Sequence, residues 1–562
     1  MVAFMKMPDV RLNPEKVLKE VSEIAEFHRI QGSRELVQGV EMLKEKPDAI
    51  GIENRIVSSS YDGETWHGTL ASPLAWNPVY GELSYGEKML TTEESPLLLM
   101  AHSPAGEARG ELLPILREED WEKAEGKIVL IGRDWRNAYK KANEAGAKAF
   151  IAYREGTGEF YPYIGLFLTK EDLEWAKIPA LAVPENIARD LVSKALKGGV
   201  EVSLSAQVDT PGKEELPMLY ATVGEPPYIV LSAHICHPKP GANDNASGSA
   251  MLIELARILN EAYRDSFRFG FAFLWVPEYH GTQAFFEKAK PDEFYVNINL
   301  DMVAGSSDRN GSTLMLVRAP LSRFSIVSGL LEHFIEQTNR KGKSFSGSDL
   351  PAMPFKAYPY EMGSDHDIFN FFGVPGTMPI TWPDKFYHSS GDTVEKLSLE
   401  SIAIIGNAVL ATALALAMEE KEKLRRFARG YAMKVLGETA MNVDTEESEK
   451  LVMRGLARDS AFIGFELGHD FESKPWLKWK DRGILNERLV RKKGGNAEEF
   501  RKLTEDRKTY NQLHELLMLS EMLPKERAFR ALEEEYGAVD KEKLEALVKM
   551  LLETGVVNIS PS

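Results

Sequence analysis

The sequence predicts an α/β protein of several domains, and three observations support this. Between residues 227 and 390, several short apolar runs end on histidine or carboxylate side chains, as strands do at the ligand-binding edge of an open α/β sheet. Residues 53–215 alternate short strands with many glycines and prolines, and residues 426–562 are charged and helix-forming. Because 562 residues exceed one hydrophobic core, we expect three domains.

The central segment, residues 227–248, reads PYIVLSAHICHPKPGANDNASG. Its first half is apolar and partly β-branched, which indicates a buried strand. His234 and His237 follow, and a loop rich in proline and glycine brings Asp244 before an amphipathic helix begins at Ser247. Imidazole and carboxylate groups are therefore expected together at the carboxyl end of this strand.

Three later strand ends repeat the arrangement. Predicted strands lead to Glu278 and Asp301, and His388 follows the apolar run 374–380. A carboxylate at the end of an apolar strand is costly unless a partner compensates its charge, and a divalent cation compensates several at once. Imidazole and carboxylate ligands suit zinc, or two zinc ions that share a bridging carboxylate. Two metals together can stabilise a hydrolytic transition state.

The order His, Asp, Glu, Asp, His occurs here in the contexts AH, AND, PE, NLDMV and YHSSGDT, with GSDHDIF at 363–369. This pattern resembles the co-catalytic zinc aminopeptidase family, which includes bacterial aminopeptidases, glutamate carboxypeptidase and the inactive transferrin receptor. The resemblance covers roughly residues 215–420. It implies a mixed-sheet zinc peptidase domain with helices on both faces, two zinc ions that cobalt or manganese can replace, and peptide substrates.

The resemblance also implies a role for each ligand. Asp244 matches the bridging carboxylate. His234 and Asp301 would complete the coordination of one metal ion, and Glu278 and His388 would complete that of the other.

The sequence HICH (residues 234–237) contains two histidines, and either could be the first metal ligand of the family motif. The family motif has an aspartate two positions after its histidine, and here that position is Cys236. If the strand continued through this stretch, His234 and Cys236 would share a face and His237 would point away. Geometry and resemblance therefore both favour His234 as the ligand, with His237 as a residue beside the site.

The sequence also departs from the family pattern at the position of the general base. Most catalytic members carry two consecutive glutamates, of which the first accepts a proton and the second binds metal, but here the first position is Pro277. Three explanations remain open. Glu278 acts as the base while another group completes the second metal; Glu278 binds metal while His280, His366 or Glu361 moves the proton; or the protein binds metal and is nearly inactive. We favour catalysis with Glu278 in the site.

The resemblance implies an aminopeptidase, which needs an acidic or carbonyl partner for the substrate amine. Glu361, Asp365 and main-chain oxygens near GSDH are candidates, with Tyr387 as a pocket wall. One alternative is a carboxypeptidase or amidohydrolase on the same metals, which would need a basic residue for the substrate carboxylate. Another is a non-catalytic metal-binding interaction protein.

The composition argues against some classes of binding partner and indicates a cellular location. The net charge of −17 argues against a nucleic-acid or anionic-membrane partner. A single cysteine excludes an internal disulfide and fits a reducing compartment, and the start of the chain lacks a secretory signal pattern, so a cytoplasmic location is expected. Abundant lysine and glutamate resemble a thermophile composition. We also expect a homo-oligomer.

The predicted domains are a peptidase domain (1–52 and 216–425), an insertion (53–215) and a helical C-terminal module (426–562). The insertion carries GKIVLI, a helix and AGAKAFIAY, and it resembles the protease-associated domain that this family often contains. The C-terminal order of helix, turn, helix, helix and short strand resembles a winged helix. Because its acidic residues outnumber its basic ones, a packing role is favoured over DNA binding.

Overall fold

The computed structural model of the chain describes residues 7–441 and 443–561. Its α-helices are α1 (Pro14–Ile24), α2 (Arg34–Ala49), α3 (Trp135–Glu144), α4 (Glu185–Gly198), α5 (Gly248–Ala262), α6 (His280–Phe286), α7 (Ile326–Thr338), α8 (His366–Phe371), α9 (Leu399–Met418), α10 (Lys421–Ala440), α11 (Glu446–Ile463), α12 (Glu487–Lys492), α13 (Ala497–Leu503), α14 (Arg507–Ser520), α15 (Lys525–Tyr536) and α16 (Lys541–Glu553).

The β-strands are β1 (Glu53–Tyr61), β2 (Trp66–His67), β3 (Leu70–Ala71), β4 (Asn77–Tyr85), β5 (Lys88–Thr91), β6 (Gly106–Pro114), β7 (Ile128–Ile131), β8 (Ala149–Ala152), β9 (Ala180–Ala182), β10 (Glu201–Asp209), β11 (Glu214–Val223), β12 (Tyr228–His234), β13 (Gly270–Val276), β14 (Phe294–Asn299), β15 (Thr313–Val317), β16 (Gly342–Lys343), β17 (Asp349–Leu350), β18 (Phe355–Tyr358), β19 (Gly376–Trp382), β20 (Leu477–Trp479) and β21 (Val557–Ile559).

The main sheet is mixed, and its eight strands lie in the order β1-β11-β13-β12-β14-β19-β15-β18. Strand β12 pairs in parallel with β13 on one side and with β14 on the other. Every residue of these three strands is buried, which explains their nearly continuous apolar sequences. Helices α1, α5 and α9 pack together, and α6 and α8 contact strands of the sheet. The predicted α/β class with a mixed sheet is confirmed.

The insertion forms a second sheet of seven strands in the order β5-β4-β10-β6-β7-β8-β9. Alternate residues of β7 enter two separate hydrophobic clusters, Ile128 and Leu130 in one and Val129 and Ile131 in the other. Because neighbouring strand residues point to opposite faces, this sheet is packed on both sides. The insertion is therefore a unit with cores of its own.

The predicted start of the insertion at residue 53 is wrong. Strand β1 pairs with β11 along its whole length and so belongs to the main sheet. The β2–β3 hairpin contacts α6 and α12, which lie outside the insertion. Alternating polar and apolar residues with many glycines indicate strands, but they do not indicate which sheet a strand joins. The composition therefore could not place the start of the insertion correctly.

The predicted boundary at residue 426 also needs correction, because it falls inside α10. The charged run is a helix surface, where Arg425 and Glu422 pair across one turn at 2.8 Å. The C-terminal helices share one continuous hydrophobic core with the main domain. For example, the Phe371 ring of α8 stacks on His514 of α14, with centroids 5.2 Å apart. The C-terminal module is therefore docked on the main domain.

Of the described helices, only α9 has the length and apolar composition to cross a membrane, and 83% of its most apolar window is buried. It packs against α7, α1 and α5 as a core helix.

Candidate metal centre

The polar residues predicted to share a site come together at the carboxyl ends of the central strands. His234 is the last residue of β12, while Glu278 and Asp301 each follow the end of β13 or β14 by two residues. Asp244 lies in the loop after β12, and His388 follows β19. Strands β13 and β14, which follow β12 in the chain, lie on opposite sides of β12 in the sheet. The connections that leave the carboxyl ends of these strands therefore separate, and a crevice opens between them.

Two groups of possible metal ligands occupy this crevice. In the first, potential ligand atoms of His234, Glu278 and Asp301 all lie within 4.8 Å of one another. The Nε2 atom of His234 is 3.4 Å from Asp301 Oδ1. This group therefore offers one imidazole and two carboxylates.

The second group consists of His237, Asp244 and His388, again with ligand atoms within 4.8 Å of one another. The Oδ2 atom of Asp244 lies 3.3 Å from His237 Nε2 and 3.2 Å from His388 Nε2. Its other oxygen, Oδ1, is 3.3 Å from His234 Nε2 in the first group. The Asp244 carboxylate thus lies between the two groups, in the position that the resemblance implied for it.

The grouping differs from the pairing that the resemblance implied. Glu278 lies with His234 and Asp301 instead of with His388, and His237 lies beside His388. The argument against His237 assumed strand alternation, but β12 ends at His234. Arg29 holds the following loop, because its carbonyl accepts the His237 N–H at 2.9 Å and its guanidinium donates to the carbonyl of Gly241.

The ring nitrogens are oriented for metal binding. Nδ1 of His234 lies 3.1 Å from the Cys236 carbonyl oxygen, and Nδ1 of His237 lies 2.9 Å from that of Pro238. Such contacts assign the proton to Nδ1 and leave Nε2 facing the crevice as a ligand. Nε2 of His237 and Oδ1 of Asp301 are buried without a hydrogen-bond partner among the described residues. Buried polar atoms need partners, and these nitrogen and oxygen donors fit zinc.

The two central carboxylates differ in acidity. Burial, together with the nearby charges of Asp301 and Asp365, raises the pKa of Glu278 well above its usual range. Burial opposes ionisation of Asp244 as well, but the imidazoles of His237, His234 and His388 hold its pKa well below the usual range. Asp244 is therefore the more strongly ionised of the two, and Glu278 the more readily protonated.

The neighbouring acids Asp392 and Asp365 support the site without facing its cavities. Asp392 accepts hydrogen bonds from the backbone N–H groups of Asn243 and Asp244 at 2.8 and 3.0 Å. Oδ1 of Asp365 accepts the N–H of Tyr279 at 2.8 Å and the Thr282 hydroxyl. Asp365 therefore fixes the turn that carries Glu278, and the prediction that it contacts the substrate amine is not supported by its burial.

The remaining predicted residues divide into two kinds. Glu361 and Tyr387 line a cavity beside the site, and the Tyr387 ring stacks on that of His388 with centroids 3.7 Å apart. His280 and His366 line neither of the two cavities at the site. They contact backbone carbonyls elsewhere, so their position disfavours them as proton carriers.

Two cavities meet at the metal ligands, and residues from other domains line both. The first holds about 440 Å³ and receives Arg507 and Tyr510 from the C-terminal module. The second, of about 330 Å³, receives Arg154 and Tyr163 from the insertion. The Tyr163 N–H donates to the His388 carbonyl oxygen at 2.7 Å. Sequence reasoning missed these residues, because none lies in a motif with ligand spacing.

Part of the chain is similar to known peptidases. Residues 219–413 match the model of peptidase family M28. The chain is 26% identical over 331 residues to aminopeptidase YwaD of Bacillus subtilis, covering 53% of this chain and 64% of that relative. It is 24% identical over 421 residues to leucine aminopeptidase 2 of Trichophyton equinum, covering 67% and 82%.

The fold is similar to that of a solved zinc aminopeptidase from Bacillus subtilis, with a TM-score of 0.54 and 19% identity over 74% of this chain and 97% of that one. The matched region, residues 219–413, contains all six residues of the two ligand groups. Residues 219–413 are therefore similar to peptidase family M28, in agreement with the resemblance of the motifs to the co-catalytic zinc aminopeptidase family.

Proposed function

We propose that the protein is a metallo-aminopeptidase that removes the first amino acid from peptides at a two-zinc site. The observation that carries this proposal is the pair of largely buried ligand groups joined by Asp244. The names of the relatives support the activity, and the N and O donors support zinc, with cobalt or manganese as substitutes. His234 and Asp301 would hold one ion, His237 and His388 the other, with Asp244 between them.

Zinc held in this way supplies a Lewis acid toward a carbonyl group and lowers the pKa of water. The protein's own part is proton transfer, for which Glu278 is placed. Its half-buried carboxyl group lies beside His234 and lines both cavities. A carboxylate placed between the two cavities can accept a proton from water and deliver it to the leaving amine. Among the three open explanations we therefore infer that Glu278 is the base and that His237 completes the second ligand group.

The first cavity fits the N-terminal residue of a substrate. Its walls are largely apolar and flexible, which suits a large hydrophobic side chain: Met302, Met315, Val317, Met362, Met378, Ile380 and Trp382. Glu361 lies at its edge with 47% of its side chain exposed and forms an ion pair with Arg507 at 3.4 Å. The Glu361 carboxylate is thus the candidate partner for the substrate ammonium group.

A substrate panel tests the proposed function. We expect hydrolysis of leucyl p-nitroanilide and leucyl-alanine amide, and loss of this hydrolysis after chelation with recovery on adding zinc. N-acetylated versions should be resistant, because they lack the ammonium group that Glu361 would bind. Equal hydrolysis of acetylated and free substrates would instead support a carboxypeptidase or amidohydrolase. Stoichiometric zinc without hydrolysis of any substrate would support a metal-binding protein without catalysis.

His237→Ala tests the second ligand group. Because His237 faces Asp244 and His388, we expect this variant to bind one zinc ion per chain where the unaltered protein binds two, as measured by atomic absorption after dialysis. His469→Ala, which removes an exposed histidine far from these groups, is the matched control and should bind two ions. If His237→Ala still binds two zinc ions tightly, His237 is not a metal ligand and only lines the pocket wall.

Other expectations are proposals of the same kind. We infer that the insertion covers the entrance to the site as a protease-associated domain does, which its contacts with the His388 loop support. A cytoplasmic location and a homo-oligomer also remain proposals that fractionation and light scattering would test.

A further inference from the structure

We propose that the second cavity binds a carboxylate carried by the residue that directly follows the scissile bond. The enzyme would then favour dipeptides with a free C-terminus, or peptides with an acidic second residue. This inference rests on the proposed function and names its substrate class.

The position of the second cavity makes it the site for the leaving residue. His234, Asp244, Glu278 and His388 line both cavities, so the reacting groups lie between them. The first cavity is apolar and carries the acidic Glu361, which suits an N-terminal residue and its ammonium group. The part of the substrate beyond the scissile bond therefore enters the second cavity.

The second cavity presents cationic groups from the insertion. Arg154 and Arg136 line it together with Trp135. Arg154 lies over the Trp135 ring, with its Cζ 5.1 Å from the ring centroid. Within residues 7–441 and 443–561, neither arginine forms an ion pair with a carboxylate, although the chain has a net charge of −17. Two arginines without an acidic partner beside the reacting groups indicate an anionic ligand.

The contacts of Arg154 place its charge close to the metal ligands. Its Nη1 atom is 3.4 Å from the carbonyl oxygens of Tyr387 and His388, and its Nη2 atom is 3.2 Å from that of Tyr163. These contacts leave the Nε–H of the guanidinium without a protein acceptor among the described residues. Arg29 also borders the cavity, but its donors are occupied by carbonyl oxygens of the His237 loop and nearby turns.

Chain geometry limits where the substrate carboxylate can be. Adjacent Cα atoms are about 3.8 Å apart, and each further residue moves a terminal carboxylate by up to about 3.6 Å. An arginine bonded to the backbone of His388 therefore meets a carboxylate on the first leaving residue more readily than one at the end of a long peptide. The planar guanidinium suits a carboxylate in particular.

The test compares three substrates of the zinc-loaded protein: leucyl-alanine, leucyl-alanine amide and leucyl-glutamate α-amide. We expect kcat/KM to be roughly 10–100-fold higher for a substrate with the carboxylate than for leucyl-alanine amide, mainly through KM. A preference for leucyl-alanine identifies the C-terminal carboxylate, and one for leucyl-glutamate α-amide identifies the side chain. Equal values for all three overturn the inference and leave the proposed function intact.

The variant Arg154→Gln connects the preference to this residue. We expect the ratio of kcat/KM between the carboxylate and amide substrates to fall toward one, and Arg154→Lys to restore part of it. Arg133→Gln, an exposed arginine of the same domain outside the cavity, is the matched control and should keep the ratio. If Arg154→Gln lowers all three activities equally, Arg154 only positions the His388 loop and the inference fails. If no substrate with a free N-terminus is hydrolysed by the unaltered protein, the proposed function fails first.

Discussion

Replacing Asp244 with alanine is expected to abolish binding of both zinc ions and all hydrolysis. The Asp244 carboxylate lies 3.2–3.3 Å from three imidazole nitrogens, one in the first ligand group and two in the second. Without it, each group keeps fewer protein ligands than zinc usually requires, and the histidines lose the negative charge that balances a cation.

The measurement is zinc content after dialysis, with circular dichroism to verify the fold. Asp308→Ala provides the control, because Asp308 is an exposed aspartate near the site segment. It should bind two ions and retain activity. A folded Asp244→Ala protein that retains its full zinc content would place the metal site elsewhere.

Replacing Glu278 with glutamine is expected to lower kcat by roughly 10²–10⁴-fold while both zinc ions remain bound. The substitution keeps the size of the side chain and removes its capacity to accept a proton. Glu278 is well placed for this role, since it lies half-buried next to His234 and its turn is fixed by Asp365. His237 supplies the ligand that the second group would otherwise lack.

Zinc content and kcat, measured on the same preparation, separate the roles of Glu278. Loss of one ion in Glu278→Gln would make it a ligand, and unchanged zinc with unchanged kcat would exclude both roles. Glu293→Gln is the control, because this glutamate lies on the surface at the start of β14. It should match the unaltered protein in both measurements.

The orientation of His237 could not be predicted from the local sequence pattern. The alternation of side chains along a strand is a sound rule, but it holds only while the strand continues, and β12 ends at His234. Beyond that residue the loop direction depends on Arg29, which is more than 200 residues away in sequence. No periodicity within the HICH sequence contains that information.

Arg154, Tyr163 and Arg507 show a second limit. Each lies in a domain that carries no ligand motif, and each reaches the site only because the insertion and the C-terminal module dock beside it. The start of the insertion was misplaced for a related reason, since β1 reads as a short strand whichever sheet it joins.

The sequence by itself determined the α/β class, the separate insertion, the helical C-terminal module and the strand ends that carry His234, Asp244, Glu278, Asp301 and His388. Burial and periodicity are local properties, so they can be read along the chain. The tertiary structure alone decided how these residues divide into two groups, that His237 joins one of them, and that arginines of two other domains border the cavities. Those distances depend on sheet order and domain packing, which bring together residues far apart in sequence.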